Sequence, residues 1–218
     1  MLDISVIIPT LNAGRTLPAT LAALGPVAEV IVVDGGSRDD TVAVAAGGRV
    51  VAAPRGRGSQ LAAGVAAARR DWLLLLHADT RLQSGWQQVA AAFMAAGPGR
   101  AGWFRFALDS DDPRARRLER LVAWRSSTLA LPYGDQGLLV HRALLESIGG
   151  IRPMPLMEDV DLVRRLGRHR LVGLDAAALT SAAKWERDGW YRRSARNLVC
   201  LALYFAGVPV RTIARLYA

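Results

Sequence analysis

The feature that most constrains this chain is a pairing repeated through its first hundred residues. A short, almost wholly apolar run is followed by a polar or glycine-rich turn, and then by a segment of helical periodicity. Ile4–Ile8 and Val30–Val33 are β-branched runs, Arg49–Ala53 is a shorter and weaker one, and Trp72–Leu76 is strongly apolar. The helical segments that follow them are Arg15–Leu24, Asp40–Ala46, Gln60–Arg69 and Trp86–Ala96. Strands that lack polar alternation are buried on both faces, and strands that alternate with helices pair in parallel. The pattern predicts an α/β fold: a mostly parallel, Rossmann-like central sheet with helices on both faces. Ligands in such folds gather at the carboxyl ends of the strands, so the residues just after each strand carry the functional reading.

From residue 101 the order is looser. Ala101–Leu108, Gly137–His141 and Leu171–Leu174 read as strands, and Pro113–Leu131, Arg142–Ile148 and a segment from Val160 to Leu166 as helices. Trp190–Tyr217 reads as two helices broken at Gly207-Val208-Pro209, a helical extension at the C-terminus. No repeat or long linker interrupts the chain, which is expected to be one domain over residues 1–218.

Composition sets the class. The 218 residues are 51% hydrophobic and 22% charged, a balance that buries a core rather than staying disordered. Cys200 is the single cysteine, so no internal disulfide forms, which fits a reducing compartment. The first residues show no signal-peptide pattern, and no apolar run reaches the ~18 residues of a membrane span. The expectation is a cytoplasmic protein, at most peripheral at the inner face of the membrane. The net charge of +9 is concentrated in residues 110–218, and every basic residue except Lys184 is an arginine. A basic half suggests an anionic partner such as a phosphorylated acceptor, a lipid headgroup or a nucleic acid; a solvated arginine surface accounts for the same count. Trp124, Trp185 and Trp190 sit among arginines, which is thin support for a nucleic-acid surface.

The turns carry the chemistry. The first strand runs into Pro9-Thr10-Leu11-Asn12, and the second into Asp34-Gly35-Gly36-Ser37-Arg38-Asp39-Asp40-Thr41. An acid at a strand end, then glycines and small hydroxyls, suits a nucleoside: Asp34 accepts from a base or ribose, and Gly36 lets the backbone approach. A buried strand-end carboxylate needs a partner, which favours ligand contact for Asp34. Ser37 and Asp39 are better read as helix caps. After the third strand, Arg55 and Arg57 alternate with glycines at a helix start, a cradle for a diphosphate. The fourth ends in His77-Ala78-Asp79-Thr80, where Asp79 suits a hard divalent cation and His77 is a second ligand or a hydrogen-bonding neighbour. Glu158-Asp159 precedes a helix, as either a catalytic base or N-terminal helix acids do.

Together, Val6–Asn12, Ile31–Thr41, Leu76–Asp79 and Met157–Leu162 resemble glycosyltransferase family 2, inverting enzymes with the GT-A fold, over about the first 185 residues. The Arg55–Gly58 loop, the His77–Thr80 run and Tyr133-Gly134-Asp135-Gln136-Gly137 look more narrowly like the small bacterial radical-SAM/selenodomain-associated transferases. The resemblance implies a nucleotide-sugar donor, UDP- or GDP-linked. It implies that Pro9, Thr10 and Asn12 line the nucleoside pocket, with Asp34 on the base. It puts Mg²⁺ or Mn²⁺ on Asp79, makes Asp159 the base for the acceptor hydroxyl, and gives Glu158 a supporting place. It divides the chain into a donor half (1–109), an acceptor and catalytic half (110–188) and C-terminal helices (189–218). His77 replaces the first acid of the family's Asp-X-Asp motif. The Gln-X-X-Arg-Trp motif of processive members is absent, with only Ala182-Ala183-Lys184-Trp185 near its place, so polysaccharide synthesis is not expected. Nucleotide-sugar binding without catalysis and nucleotidyl transfer are the alternatives, although Pro9–Arg15 lacks the lysine of a nucleotidyltransferase loop. The basic, then apolar C-terminal stretch suits either an anionic membrane, and so a lipid-linked acceptor, or packing on protein.

Overall fold

The computed structural model describes residues 1–45 and 47–217. Eight strands form one sheet: β1 Leu2–Thr10, β2 Val27–Asp34, β3 Arg49–Ala52, β4 Trp72–Leu75, β5 Thr80–Leu82, β6 Ala101–Leu108, β7 Leu138–His141 and β8 Leu171–Thr180. Their order in space is β3-β2-β1-β4-β7-β6-β8-β5. β1 pairs in parallel with β2 and β4, β2 with β3, and β6 with β8. β7 runs antiparallel to β4 and β6, and β5 to β8. The expected mostly parallel sheet is present, with two strands reversed.

The apolar runs bury both faces, and successive residues divide between two cores. Ile4, Val6, Ile8, Val32, Leu74 and Leu76 point to one face, where Leu17 and Leu24 of helix Leu17–Leu24 and Trp86 and Ala90 of helix Trp86–Ala95 cover them. Ile7, Ile31, Val33, Leu73 and Leu75 point to the other, against Leu61 of helix Arg57–Ala67 and Leu162 and Leu166 of helix Glu158–Leu166. A third cluster joins Phe106 and Leu108 to helix Pro113–Thr128 and to Trp185 and Trp190. The C-terminal helices Trp190–Phe205 and Val210–Tyr217 pack Cys200 and Ile213 on Met157 and Val160. Each fully buried Leu, Ile or Phe contributes about 1.5–3 kcal/mol.

Several elements depart from the sequence expectation. β5 is a three-residue strand directly after the His77–Asp79 turn, too short to show a period. β8 runs six residues past Leu174, because its pairing with β6 shifts register between Phe104 and Arg105; such an irregularity breaks the alternation that a sequence reading relies on. Helix Ala183–Asp188 was not expected. Helix Thr41–Val44 starts one residue later than predicted, and the expected end at Ala46 lies outside the described residues. The break at Gly207-Val208-Pro209 is where the sequence put it.

Helix Arg57–Ala67 reaches the sheet through Gly64. A Cβ there would sit 2.3 Å from Ile7 Cγ2 and 2.9 Å from Val33 Cγ2. Alanine normally gains about 1 kcal/mol over glycine inside a helix, but overpacking a buried contact costs about 1–3 kcal/mol. Gly64→Ala is expected to lower stability by about 1–2 kcal/mol in urea unfolding; a gain in stability would show that the helix does not seat this closely.

Candidate active site

The turns after β1 and β2 are knitted by side chains. Asp34 ends β2 and is 7% exposed. Its Oδ1 accepts from the Thr10 hydroxyl at 3.1 Å and from the Ser37 hydroxyl, and its Oδ2 from the Gly36 and Ser37 amides at 2.9 and 2.8 Å. The partner that burial demands is therefore supplied within the turn. These bonds hold the Asp34 carboxyl below its ordinary range, although burial acts to raise it. Asn12, at φ 51°, donates its amide to Ser37 Oγ and accepts from the Arg38 amide through Oδ1. Asp39 accepts from the Gly14 and Thr41 amides in a turn before helix Thr41–Val44 rather than capping it, and Ser37, the other expected cap, bonds instead to Asp34 and the Asn12 amide. Buried Gln60 donates through Nε2 to the carbonyls of Thr10 and Val33, each at 2.7 Å, and so ties helix Arg57–Ala67 to both strand ends. Pro9 is buried within β1, and Gly36 is exposed at the lip of the turn with φ 89°.

A narrow cleft lies past the end of β4. Leu61, Leu75, Leu138 and Leu162 line it together with His77, Tyr133, Gly134, Glu158 and Asp159, and none of the turn residues does. Arg57 joins three of its lining residues. Its Nε donates to Glu158 Oε1 at 2.5 Å, its Nη1 meets His77 Nε2 at 3.2 Å and its Nη2 lies 3.4 Å from Asp159 Oδ2. A guanidinium has only donors, so His77 accepts at Nε2. Met157 holds a left-handed φ of 63° and turns the chain so that Glu158 and Asp159 open the next helix. Asp159 also accepts from the Gly134 amide at 2.9 Å. Gly134 is required there, since a Cβ would fall 2.6 Å from His77 Nε2. Arg55 stands exposed on the loop before helix Arg57–Ala67.

The electrostatics separate the acids. Burial works to raise Asp159, but Arg57 and the Gly134 amide outweigh it and hold the carboxyl below its usual range, so it is ionised at neutral pH. Glu158 is 3% exposed; burial pushes it up against the pull of Arg57, and its Oε2 has no hydrogen-bond partner among the described residues. His77 falls to about 4, from burial and then the Arg57 charge, so the ring is neutral. Asp79 ion-pairs with Lys184, Oδ2 to Nζ at 2.8 Å. Tyr133 rises to about 12 through burial, with the Arg125 guanidinium 3.5 Å from its ring centre.

The structure brings Arg57, His77, Glu158 and Asp159 to one place; the sequence named each of them but assigned no role to Lys184, Tyr133, Asp135, Gln60 or Gln136. Gln136 is fully buried, accepts from Ser126 and the Tyr133 amide, and donates to the Phe104 carbonyl, which locks the Gly134 turn to helix Pro113–Thr128 and β6. For Lys184 a signal existed: it is the chain's only lysine.

Asp135 is raised by burial, and by Asp159, from 3.8 to about 6. Its folded-state value exceeds the unfolded one, so ionising it opposes folding as pH rises through that interval. Asp135→Asn is expected to raise the unfolding temperature above pH 6 and to change it little below pH 4. Thermal scans across pH check this; a destabilisation at pH 7 would show that the ionised carboxylate has a stabilising partner.

The chain matches the family model described as Glycosyl transferase family 2 over residues 5–144. Uncharacterized glycosyltransferases of Mycobacterium tuberculosis and Mycobacterium bovis are 42% identical to it over 85 residues. That stretch is 38% of this chain, and the chain spans 39% of the length of those relatives. Staphylococcus aureus TarS, solved over residues 1–349, superposes with a TM-score of 0.65 at 17% identity, covering 100% of this chain and 70% of that one. Glucosyl-3-phosphoglycerate synthase from Mycobacterium tuberculosis, solved with Mn²⁺ and UDP-glucose, superposes with a TM-score of 0.60 at 21% identity, covering 95% of this chain and 80% of that one. At such identities the likeness shows the fold, that of the GT-A glycosyltransferases. The family match covers well over half of the residues, and on that ground the chain belongs to glycosyltransferase family 2.

Proposed function

We propose that this protein is an enzyme that moves a sugar from a nucleotide-diphosphate donor to an acceptor hydroxyl in one inverting displacement. The observation that carries the reading is Asp159, a carboxylate that lines the cleft past the end of β4 and is held there by the Gly134 amide and Arg57. In this reading Asp159 takes the acceptor proton as the hydroxyl oxygen bonds to the anomeric carbon. The bond from that carbon to the diphosphate breaks, and its electron pair leaves with the diphosphate. Glu158 supports Asp159 through their shared partner Arg57.

Residues 1–109 form the donor half. Pro9, Thr10, Asn12 and Gly36 frame the nucleoside pocket, and Asp34 fixes the turn at its floor. Arg55 and Arg57 flank the diphosphate. Residues 110–188 supply the acceptor side and the base, and the C-terminal helices buttress Met157 next to it. Because glucosyl-3-phosphoglycerate synthase was solved with UDP-glucose, UDP-sugars are the first donors to test, with GDP-sugars second.

The resemblance offers a divalent cation His77 and Asp79. Here His77 Nε2 faces the Arg57 guanidinium and Asp79 is paired with Lys184. Mg²⁺ and Mn²⁺ need free oxygen ligands, and both candidate side chains are already engaged by resident cations. As they stand these side chains do not form a cation site, and no step is derived through one.

Asp159→Asn is expected to lower transfer of label from a radioactive nucleotide sugar into a cell-extract acceptor pool by ~10²–10⁴-fold, with donor affinity kept. Unchanged transfer in that variant overturns the assignment. Donor binding with no product from either protein favours a binding role, and release of sugar 1-phosphate favours nucleotidyl transfer.

A peripheral membrane contact is a second element of the proposal. Tyr191, Ala195, Leu198, Val199 and Ala202 recur at helical spacing on the exposed side of helix Trp190–Phe205, and Tyr191 and Leu198 are 70% and 65% exposed. Exposed Arg192, Arg211 and Arg215 lie on the same two C-terminal helices, a combination that suits an anionic bilayer and a lipid-linked acceptor. Among the described residues no helix is long and apolar enough to cross a membrane. Flotation with phosphatidylglycerol vesicles is expected to carry the protein, and Leu198→Glu with Val199→Glu to abolish it. Unaltered flotation of that double variant would remove this helix from the contact, and a wild type that stays behind as a dimer would assign the stripe to a second copy.

A further inference from the structure

Lys184 is the only lysine among 28 basic residues, and it sits on the acid that the resemblance gives to a metal ion. Its Nζ lies 2.8 Å from Asp79 Oδ2, with the lysine side chain 53% exposed and the aspartate 14%. An exposed ion pair often means little, but this one is placed by the fold from both ends. The Ser181 amide donates to the Asp79 carbonyl at 3.1 Å, continuing the β5–β8 ladder past Thr80 and Thr180. The Ala182 amide donates to Asp109 at 2.6 Å, and Trp185, 8% exposed, is held in the core under the Arg193 guanidinium. The backbone on both sides of Lys184 is therefore fixed, and its four-carbon stem presents a cation at the carboxyl edge of the sheet.

The other candidate ligand is engaged in the same manner, since Arg57 Nη1 donates to His77 Nε2. Two resident cations thus stand where a divalent ion would stand, one on each side chain that would hold it. A metal would have to displace Lys184 from Asp79. A diphosphate would not: the exposed ammonium has three donors, of which the carboxylate need use only one.

We propose that Lys184, positioned by Asp79 and acting with Arg57, supplies the positive charge that binds the donor's diphosphate, so that donor binding requires no divalent cation. No bond is made or broken in this role. The proposal rests on the reading of the cleft as a nucleotide-diphosphate site and deepens it by naming the group that meets the phosphates.

The test is isothermal titration of UDP, GDP, ADP and CDP into the full chain, as wild type, Lys184→Met and Asp79→Asn, each in EDTA and in Mn²⁺. Wild type is expected to bind one diphosphate in EDTA within about twofold of its affinity in Mn²⁺. Lys184→Met is expected to lose about tenfold or more in EDTA, the loss of a charge-assisted bond, and to recover part of it in Mn²⁺ through the freed Asp79. Asp79→Asn is expected to bind less tightly in EDTA because the ammonium is no longer aimed, a loss that a metal-ligand role alone does not produce without metal. Wild-type binding that appears only with Mn²⁺, or a Lys184→Met affinity equal to wild type in EDTA, overturns the proposal while leaving the donor reading intact. No binding of any diphosphate under either condition overturns both.

Discussion

Arg57 joins segments that the chain brings together from far apart, and the cleft depends on it. Its three nitrogens reach His77 at the end of β4 and Glu158 and Asp159 about a hundred residues further on. Glu158 is almost wholly buried and has one oxygen with no other partner among the described residues. Breaking a buried ion pair by deleting one partner costs about 3–5 kcal/mol, and an exposed pair is worth up to about 1 kcal/mol. Arg57 is 37% exposed and Glu158 2% at the side chain, so this contact falls between those limits. The planar fork matters as much as the charge. A lysine at 57 would reach one of the three groups, not all of them.

The turns after β1 and β2 are held by local bonds. Thr10, Asn12, Ser37, Asp39 and Thr41 bond to one another and to main-chain amides, so the two turns form one rigid lip. Gln60 and Gln136 do the same work at longer range, each buried and each spanning separate elements. A site of this kind is pre-organised by short bonds from amides and hydroxyls, several of them to the Asp34 and Asp39 carboxylates.

The strands of the first half were legible because their residues obey one simple rule: β1, β2 and β4 are covered on both faces, so hydrophobicity alone marks them. β5 was not, since Thr80–Leu82 is three residues at a sheet edge. The last residues of β8 were not, because the register shifts opposite Phe104 and a charged Asp175 interrupts the apolar run. At the site, the acids were visible as strand-end and helix-start residues. Their partners were not, because nothing local pairs residue 57 with 158 or 79 with 184. Asp34 shows the same limit in reverse. The argument that a buried carboxylate needs a partner was sound, and the partner came from its own turn.

The contacts that the arginines make bear on what the chain's charge means. Arg142 donates to the carbonyls of Val65, Ala68 and Arg70, Arg165 to those of Ile148 and Gly150, and Arg116 to those of Leu108 and Ser110. Others lie over rings: Arg125 on Tyr133, Arg193 on Trp185, Arg164 on Phe205. These guanidiniums act as splints that close loop and helix ends, where the backbone leaves acceptors open. Part of the formal +9 is thereby also committed to scaffolding. The composition advertises a polycation, yet many of its cations double as clamps on the main chain, and the field a passing anion meets depends on how the exposed arginines are arranged rather than on their number.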